Sequence, residues 1–262
     1  MQADVNDALS DGTSALIVAA HSGHGRVASV LLDKGADPNN TDIGYAALHA
    51  AVLRSDLDLV KTLLARGANP EIRITKGTPI RRETTDYNLP RTLIGATPYW
   101  LAAKLLEPDI MRVLAAAGAD TKAQMPDGTS ALMAAAGVST TAAGAGGANQ
   151  GSDRRGVNLI DGGRFEPEAR VLETVTAVLG YSADVNATNK NGETALHGAA
   201  SQLMPAVVQL LVDKGARLDV KNKKDQTPLA VLAKDSNAAT APNVIAAKKA
   251  TIALLRKLGA AE

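Results

Sequence analysis

Short runs of apolar residues alternate with polar turns along this chain, and the apolar positions recur at helical spacing. In the stretch 11–39, DGTSALIVAAHSGHGRVASVLLDKGADPN, a polar turn precedes a short apolar segment. A glycine-bearing turn follows, and a second apolar segment ends at Gly35. Apolar residues three or four positions apart lie on one face of a helix. The pattern therefore predicts two short helices joined by a turn, and variants of it recur to the C-terminus.

The start of each first helix carries a capping signal. In five of six aligned segments a hydroxyl side chain precedes the apolar run, where it can accept a hydrogen bond from an unpaired backbone N–H. Pro98 and Pro228 follow it in two segments, and proline suits the first helical turn. Ala46 is the exception. The predicted caps are Ser14, Thr97, Ser130, Thr194 and Thr227.

The end of each second helix is marked by glycine, which adopts a left-handed conformation without steric cost. Ser182 takes this place in one divergent segment. An apolar residue stands four positions earlier in every case, which places it on the buried helical face. The predicted terminating glycines are Gly35, Gly67, Gly118, Gly215 and Gly259.

The repeated unit resembles the ankyrin repeat, which has a period of about 33 residues and a T-P-L-H-x-A signature. His49 and His197 occupy the signature histidine, whereas Ile17, Trp100 and Met133 replace it elsewhere. The resemblance implies an all-α solenoid of helix–turn–helix units with short β-hairpin fingers. It implies that the histidines hydrogen-bond the backbone between units. It also implies that the chain is a non-catalytic protein-binding scaffold, which uses its concave face and the long finger.

The spacing of the signals predicts one repeat domain over residues 1–262 with three insertions. The interval from Gly67 to Gly118 is 51 residues, well above the period, and the alternation of Ile72 and Ile74 with polar residues predicts an extended finger there. The predicted insertions are 71–94, 139–166 and 235–242. The predicted repeats are 11–40, 41–70, 95–123, 127–187, 191–221 and 225–262, after a repeat remnant at 1–10.

The remnant matches the tail that follows a second helix. Ala3-Asp4-Val5-Asn6 aligns with Ala36-Asp37-Pro38-Asn39 and with Ala183-Asp184-Val185-Asn186. We therefore expect a longer parent protein with a repeat upstream, and an open reading frame without one would contradict this. We expect a soluble protein that is cytoplasmic, periplasmic or secreted.

The composition excludes several kinds of site and partner. The chain has no cysteine, which excludes disulfides, thiol catalysis and zinc–thiolate sites. Its net charge of +1 is too small to attract nucleic acid or a membrane surface by long-range electrostatics. We expect no cofactor, no metal, no membrane insertion and a monomer. His21 and His24 have metal-binding spacing if helical, but no third ligand is near in sequence. The alanine-rich composition favours a bacterial source.

Aromatic and basic residues concentrate around the first insertion, although aromatics make up only 2% of the chain. Aromatic residues with arginine are typical of interface hot spots. The alternative is that Trp100 packs the finger onto the solenoid while the arginines are solvated. The predicted partner-binding residues are Tyr45, Arg81, Arg82, Tyr87, Arg91, Trp100 and Lys104.

The second insertion supplies the alternative function, a small-ligand site or an enzyme built from the 71–94 and 139–166 insertions. Its polar groups would come from Asp153, Arg154, Arg155 and Arg164, although these charges also suit salt bridges that order the loop. The glycines near 144–147 lack the Gly-Lys-Ser/Thr of a phosphate-binding loop. No nucleophile–base pair is recognisable, so we favour a protein partner.

Overall fold

The computed structural model describes residues 4–77, 89–138, 168–234 and 242–261. These residues belong to two compact units, which meet in sequence between Met125 and Pro126. Each unit is built from pairs of short helices joined by tight turns.

The first unit contains three helix pairs. First helices α1, α3 and α5 contact one another in order, and second helices α2, α4 and α6 do the same. A one-turn 3-10 helix, Arg91–Leu93, precedes α5. The helices are α1 (Ala15–His21), α2 (Gly25–Asp33), α3 (Ala47–Leu53), α4 (Leu57–Ala65), α5 (Pro98–Lys104) and α6 (Pro108–Ala116).

The second unit repeats this arrangement. First helices α7, α9 and α11 contact in order, as do second helices α8, α10 and α12. Two second helices are longer than the nine residues found in the first unit. The helices are α7 (Ala131–Ala135), α8 (Glu168–Gly180), α9 (Ala195–Ser201), α10 (Pro205–Asp213), α11 (Pro228–Lys234) and α12 (Pro242–Lys257).

The predicted caps of the first helices are confirmed. Each hydroxyl oxygen accepts a hydrogen bond from the backbone N–H three residues later, at 3.2–3.4 Å. At Ala46, which has no side-chain acceptor, the imidazole Nδ1 of His49 accepts from the Ala46 N–H at 3.2 Å. The histidine thus satisfies a backbone donor at the one start that lacks a hydroxyl.

The predicted ends of the second helices are also confirmed. All five terminating glycines have φ between 83° and 99°, and Ser182 adopts φ 58°. A left-handed conformation costs a residue with a Cβ about 1–2 kcal/mol, part of which is offset because glycine loses more backbone entropy on folding. The divergent repeat therefore ends with a strained residue.

We expect Ser182→Gly to raise the free energy of unfolding by about 0.5–1 kcal/mol, because it relieves this strain. The matched change Gly215→Ala should lower it by about 1 kcal/mol, since a Cβ there meets no atom within 4 Å and only the backbone conformation is penalised. Urea denaturation measures both. Two changes of the same sign would contradict the assignment.

Asparagine side chains link successive repeats. The Asn39 amide nitrogen donates to the Gly67 carbonyl at 2.9 Å, and its oxygen accepts from the Asn69 N–H at 2.7 Å. Asn6 and Asn186 make the same two bonds to the repeats that follow them. Glu71 stands at the corresponding position after α4, where its carboxylate accepts from the Asp120 N–H at 2.7 Å. Each link satisfies a helix-terminal carbonyl or a turn N–H.

The predicted β-hairpin finger is not found among the described residues, which contain no named strand. Ile74 is buried and Arg73 and Thr75 are exposed, so the predicted alternation is present. The backbone hydrogen bonds of this segment, however, go to two separate stretches of the chain, Gly44 and the Gly95–Ala96 pair. No continuous ladder of hydrogen bonds therefore forms. Residues 78–88 at the predicted tip lie outside the described part of the chain.

Candidate functional site

The base of the predicted finger joins three separate stretches of the first unit, residues 44–45, 73–77 and 89–96, which we call the finger base. The Thr75 N–H donates to the Gly44 carbonyl at 2.7 Å. The Ile74 N–H donates to the Ala96 carbonyl at 3.0 Å, and the Gly95 N–H donates to the Ile74 carbonyl at 2.7 Å. These bonds fix the backbone that carries the nearby charges.

Two glycines allow the stretches to approach closely. A Cβ on Gly44, which has φ +98°, would lie 2.6 Å from the backbone nitrogen of Lys76. A Cβ on Gly77 would lie 2.6 Å from the Leu89 carbonyl oxygen and 3.2 Å from the backbone nitrogen of Arg91. The close packing therefore places Lys76 beside the Arg91 segment.

Arg73 serves the structure of the finger base. One guanidinium nitrogen donates to the Gly95 carbonyl at 2.7 Å and to the Gln124 carbonyl at 2.9 Å. An arginine that donates to two backbone carbonyls holds two turns together. Lys76 and Arg91 are exposed as well, and they present further cationic groups on this rigid backbone.

The aromatic residues lie beneath this surface, in the core. Tyr45, Tyr99 and Trp100 are each 1% exposed, and Leu89 and Leu93 are also buried. Tyr45 packs against His21 of α1, with ring centroids 5.9 Å apart. The prediction that Tyr45 and Trp100 offer anchors to a partner is corrected here, because their side chains leave no surface for contact. Their burial agrees with the alternative considered for Trp100, a packing role.

His49 is fully buried in α3 and has a strongly shifted pKa. Burial penalises the charged imidazolium and lowers the pKa to about 4, although the polar backbone of Ala96 and Ile72 opposes part of the shift. Its Nε2 has no hydrogen-bond partner within the described residues. The imidazole nevertheless lies against the backbone of Ala96 and Ile72, which lead into the next repeat, while its Nδ1 accepts from the Ala46 N–H of its own unit.

His197 makes the expected bond to the backbone of another unit. Its Nδ1 accepts from the Thr194 N–H at 3.2 Å, which leaves Nε2 to donate to the Gln226 carbonyl of the following repeat at 3.0 Å. Burial lowers the pKa of His197, and the Gln226 carbonyl and the charge of Glu193 partly oppose the shift. Both signature histidines thus act as neutral hydrogen-bonding groups of the fold.

The other predicted site residues are distributed as follows. Arg91 lies in the 3-10 helix and is exposed, and Lys104 is half-buried at the end of α5. Arg81, Arg82 and Tyr87 fall outside the described residues, as do the alternative ligand-binding residues Asp153, Arg154, Arg155 and Arg164. The structural roles of Arg73 and Glu71 were not foreseen, since nothing local in the sequence shows which distant carbonyl or N–H a side chain reaches.

The described residues contain no group of three or more His, Cys, Asp or Glu residues placed to hold a metal ion. A groove of about 350 Å³ lies between α8 and α10, where Thr176 and Lys214 are the polar lining residues. It has neither a carboxylate nor an imidazole in its lining, so it provides no acid–base pair. None of the helices in the described ranges is long and apolar enough to cross a membrane.

Comparisons with known proteins agree with the repeated helix pairs. Residues 1–74 and 168–252 match the family model described as ankyrin repeats, three copies. The chain is 28% identical over 243 residues to neurogenic locus notch homolog protein 1 of Xenopus tropicalis, covering 86% of this chain and 8% of that protein. It is 30% identical over 234 residues to ankyrin repeat and SOCS box protein 16 of Homo sapiens, covering 83% of this chain and 46% of that protein.

A solved structure shows the same fold along almost the whole chain. The human ASB11 ankyrin repeat domain aligns with a TM-score of 0.67 at 20% identity, covering 99% of this chain and 89% of that one. The all-α repeat fold predicted from the sequence is therefore confirmed. The chain spans less than half the length of the two curated relatives described above.

Proposed function

Since this chain belongs to the ankyrin-repeat family, we propose that it is a non-catalytic scaffold for a protein partner and binds it partly through the cationic surface of the finger base. Repeats of this kind bind partners over extended surfaces that are rigid before binding. The observation that carries the proposal is the exposure of Lys76 and Arg91 on a hydrogen-bonded backbone above a buried aromatic core.

Rigidity is what makes these two cations useful for recognition. Binding costs less when the interface is ordered beforehand, and the bonds to Gly44, Gly95 and Ala96 supply that order. Exposed charges mainly increase the association rate and select a partner of opposite charge. An acidic protein surface is therefore the complement that this face favours.

We expect the double variant Lys76→Glu with Arg91→Glu to weaken binding of the natural protein partner about tenfold or more, because attraction becomes repulsion. The partner would be isolated from the source organism and titrated against both proteins by calorimetry. Lys249→Glu with Lys257→Glu makes the same change of charge on α12 and should leave the affinity nearly unchanged. Unfolding curves would show that both variants keep the fold.

Two results would contradict the proposal. Equal affinity of the partner for the wild type and the Lys76/Arg91 variant would remove the finger base from the interface. A metabolite that raises the melting temperature, with no protein retained by the wild-type chain, would favour the small-ligand alternative instead.

A further inference from the structure

The groove between α8 and α10 of the second unit combines one charge with an apolar lining. It has a volume of about 350 Å³, and Lys214 is the charged residue of its described lining. The Thr176 hydroxyl donates to the Leu172 carbonyl at 2.6 Å, so its proton is already used within α8. The rest of the lining is Gly180 and the apolar side chains of Leu179, Ala183, Val185 and Leu210.

This groove is a local departure from the other repeats. An alanine follows the residue that ends each second helix, as Ala183 follows Ser182. In the four other repeats that precede a further repeat of the chain, this alanine is only 5–8% exposed. Ala183 is half-buried instead, so the divergent repeat leaves open a position that the others close. The four buried alanines are Ala36, Ala68, Ala119 and Ala216.

An ion pair of the first unit identifies what the groove lacks. The Arg66 guanidinium at the end of α4 is paired with the Asp33 carboxylate at the end of α2. Arg66 stands one residue before the residue that terminates its helix, and Asp33 stands two residues before its own. The same two offsets select Lys214 after α10 and Gly180 at the end of α8, and both line the groove. The cation of the pair is therefore kept, while its carboxylate is missing.

No carboxylate of the described ranges replaces the missing one. Lys214 is exposed and forms no ion pair with a described residue. The neighbouring Asp213 carboxylate accepts from the Gln209 side-chain amide at 2.7 Å, within α10. The end of a second helix tolerates a carboxylate, since Asp33 occupies this position in the first repeat. The groove thus offers an ammonium group beside an apolar surface.

We propose that this groove binds a small aliphatic carboxylate. The acid group bonds the Lys214 ammonium, as Asp33 bonds Arg66, and the hydrocarbon chain lies against Leu179 and Leu210. At about 30 Å³ for each water-sized group, the volume holds about ten non-hydrogen atoms. The site belongs to the second unit and the finger base to the first, so it is independent of the proposed protein partner.

Titration of the nitrogen-15-labelled full chain with sodium hexanoate, which is small enough for this volume, tests the proposal. We expect the amide signals of Gly180, Ala183 and Lys214 to move with a dissociation constant of about 1–10 mM, as suits a small ligand in an open groove. 1-Hexanol has the chain without the charge, and acetate has the charge without the chain. Each should bind about tenfold more weakly than hexanoate.

Two variants change the charge pattern of the groove. Gly180→Asp supplies the missing carboxylate from the chain itself and should weaken hexanoate binding about tenfold or more. A Cβ on Gly180 meets no atom within 4 Å, so the variant is expected to fold. Lys214→Gln removes the cation and should weaken binding about three- to tenfold. The matched controls are Gly180→Ala and, on α12, Lys249→Gln, and both should change the dissociation constant less than about twofold.

Three results would overturn the proposal. Groove signals that stay in place at ten times the expected dissociation constant would show that hexanoate does not bind there. Equal affinity of the wild type, Gly180→Asp and Lys214→Gln would place the ligand elsewhere on the chain. Acetate that binds as tightly as hexanoate would show that an exposed lysine attracts any anion and that the apolar lining takes no part.

Discussion

Replacing Trp100 with alanine is expected to lower the free energy of unfolding by about 3–5 kcal/mol. Trp100 is the largest of the fully buried side chains, and it stands where His49 and His197 stand in other repeats. Removing the indole leaves a cavity, which neighbouring short helices can fill only in part. Urea denaturation followed by circular dichroism measures the loss.

Two further variants make this expectation specific. Trp100→Phe keeps part of the packing and should lose less stability than the alanine variant. Val30→Ala removes an exposed side chain and should change stability by about 0.5 kcal/mol or less. A loss below about 1 kcal/mol for Trp100→Ala would show that the indole is not essential to the core. The expected instability also means that reduced partner binding by Trp100→Ala would report unfolding rather than a lost contact.

Lowering the pH from 7 to 5 is expected to reduce the free energy of unfolding by about 2 kcal/mol through His49 alone. The imidazole has a pKa of about 4 in the fold and about 6.5 in the unfolded chain. Between these values the unfolded state binds the extra proton, so stability falls as the pH falls from 6.5 toward 4 and then levels off. The lowered pKa of His197 acts in the same direction.

The substitution His49→Gln separates this effect from general acid destabilisation. The variant is expected to be less stable at pH 7, because the imidazole no longer accepts from Ala46, but to lose less stability between pH 7 and pH 5. His197→Gln should retain the part of the pH dependence that comes from His49. Equal pH dependence of the wild type and His49→Gln would contradict the assignment.

The repeated helix pairs were predictable because their signals are local. A hydroxyl at Ser14 or Thr97 bonds a backbone N–H three residues away, and glycine at Gly35 or Gly67 is favoured by its own φ angle. Neither depends on distant parts of the chain. The sequence therefore identified the start and end of these helices without knowledge of their packing.

The candidate site was less predictable because its contacts are long-range. Trp100 and Tyr45 were predicted to bind a partner, with a packing role as the alternative for Trp100, and both side chains are buried, as are Leu89 and Leu93. The alternation of Ile72 and Ile74 suggested a strand, whereas the backbone at Ile74 and Thr75 bonds to two different turns. Which segment supplies the partner cannot be read from alternation alone.

The asparagine links have a consequence for how a chain of this kind can change its length. Asn39 joins the tail of one repeat to the terminating glycine and turn of the next, and Asn6 and Asn186 do the same in their own places. Duplication or deletion of one whole period would present each amide with an equivalent carbonyl and N–H, so that neither the amide nor the end of the helix would lose its hydrogen bonds. Gain or loss of a complete repeat is therefore a smaller perturbation to this fold than the insertion of a few residues within one.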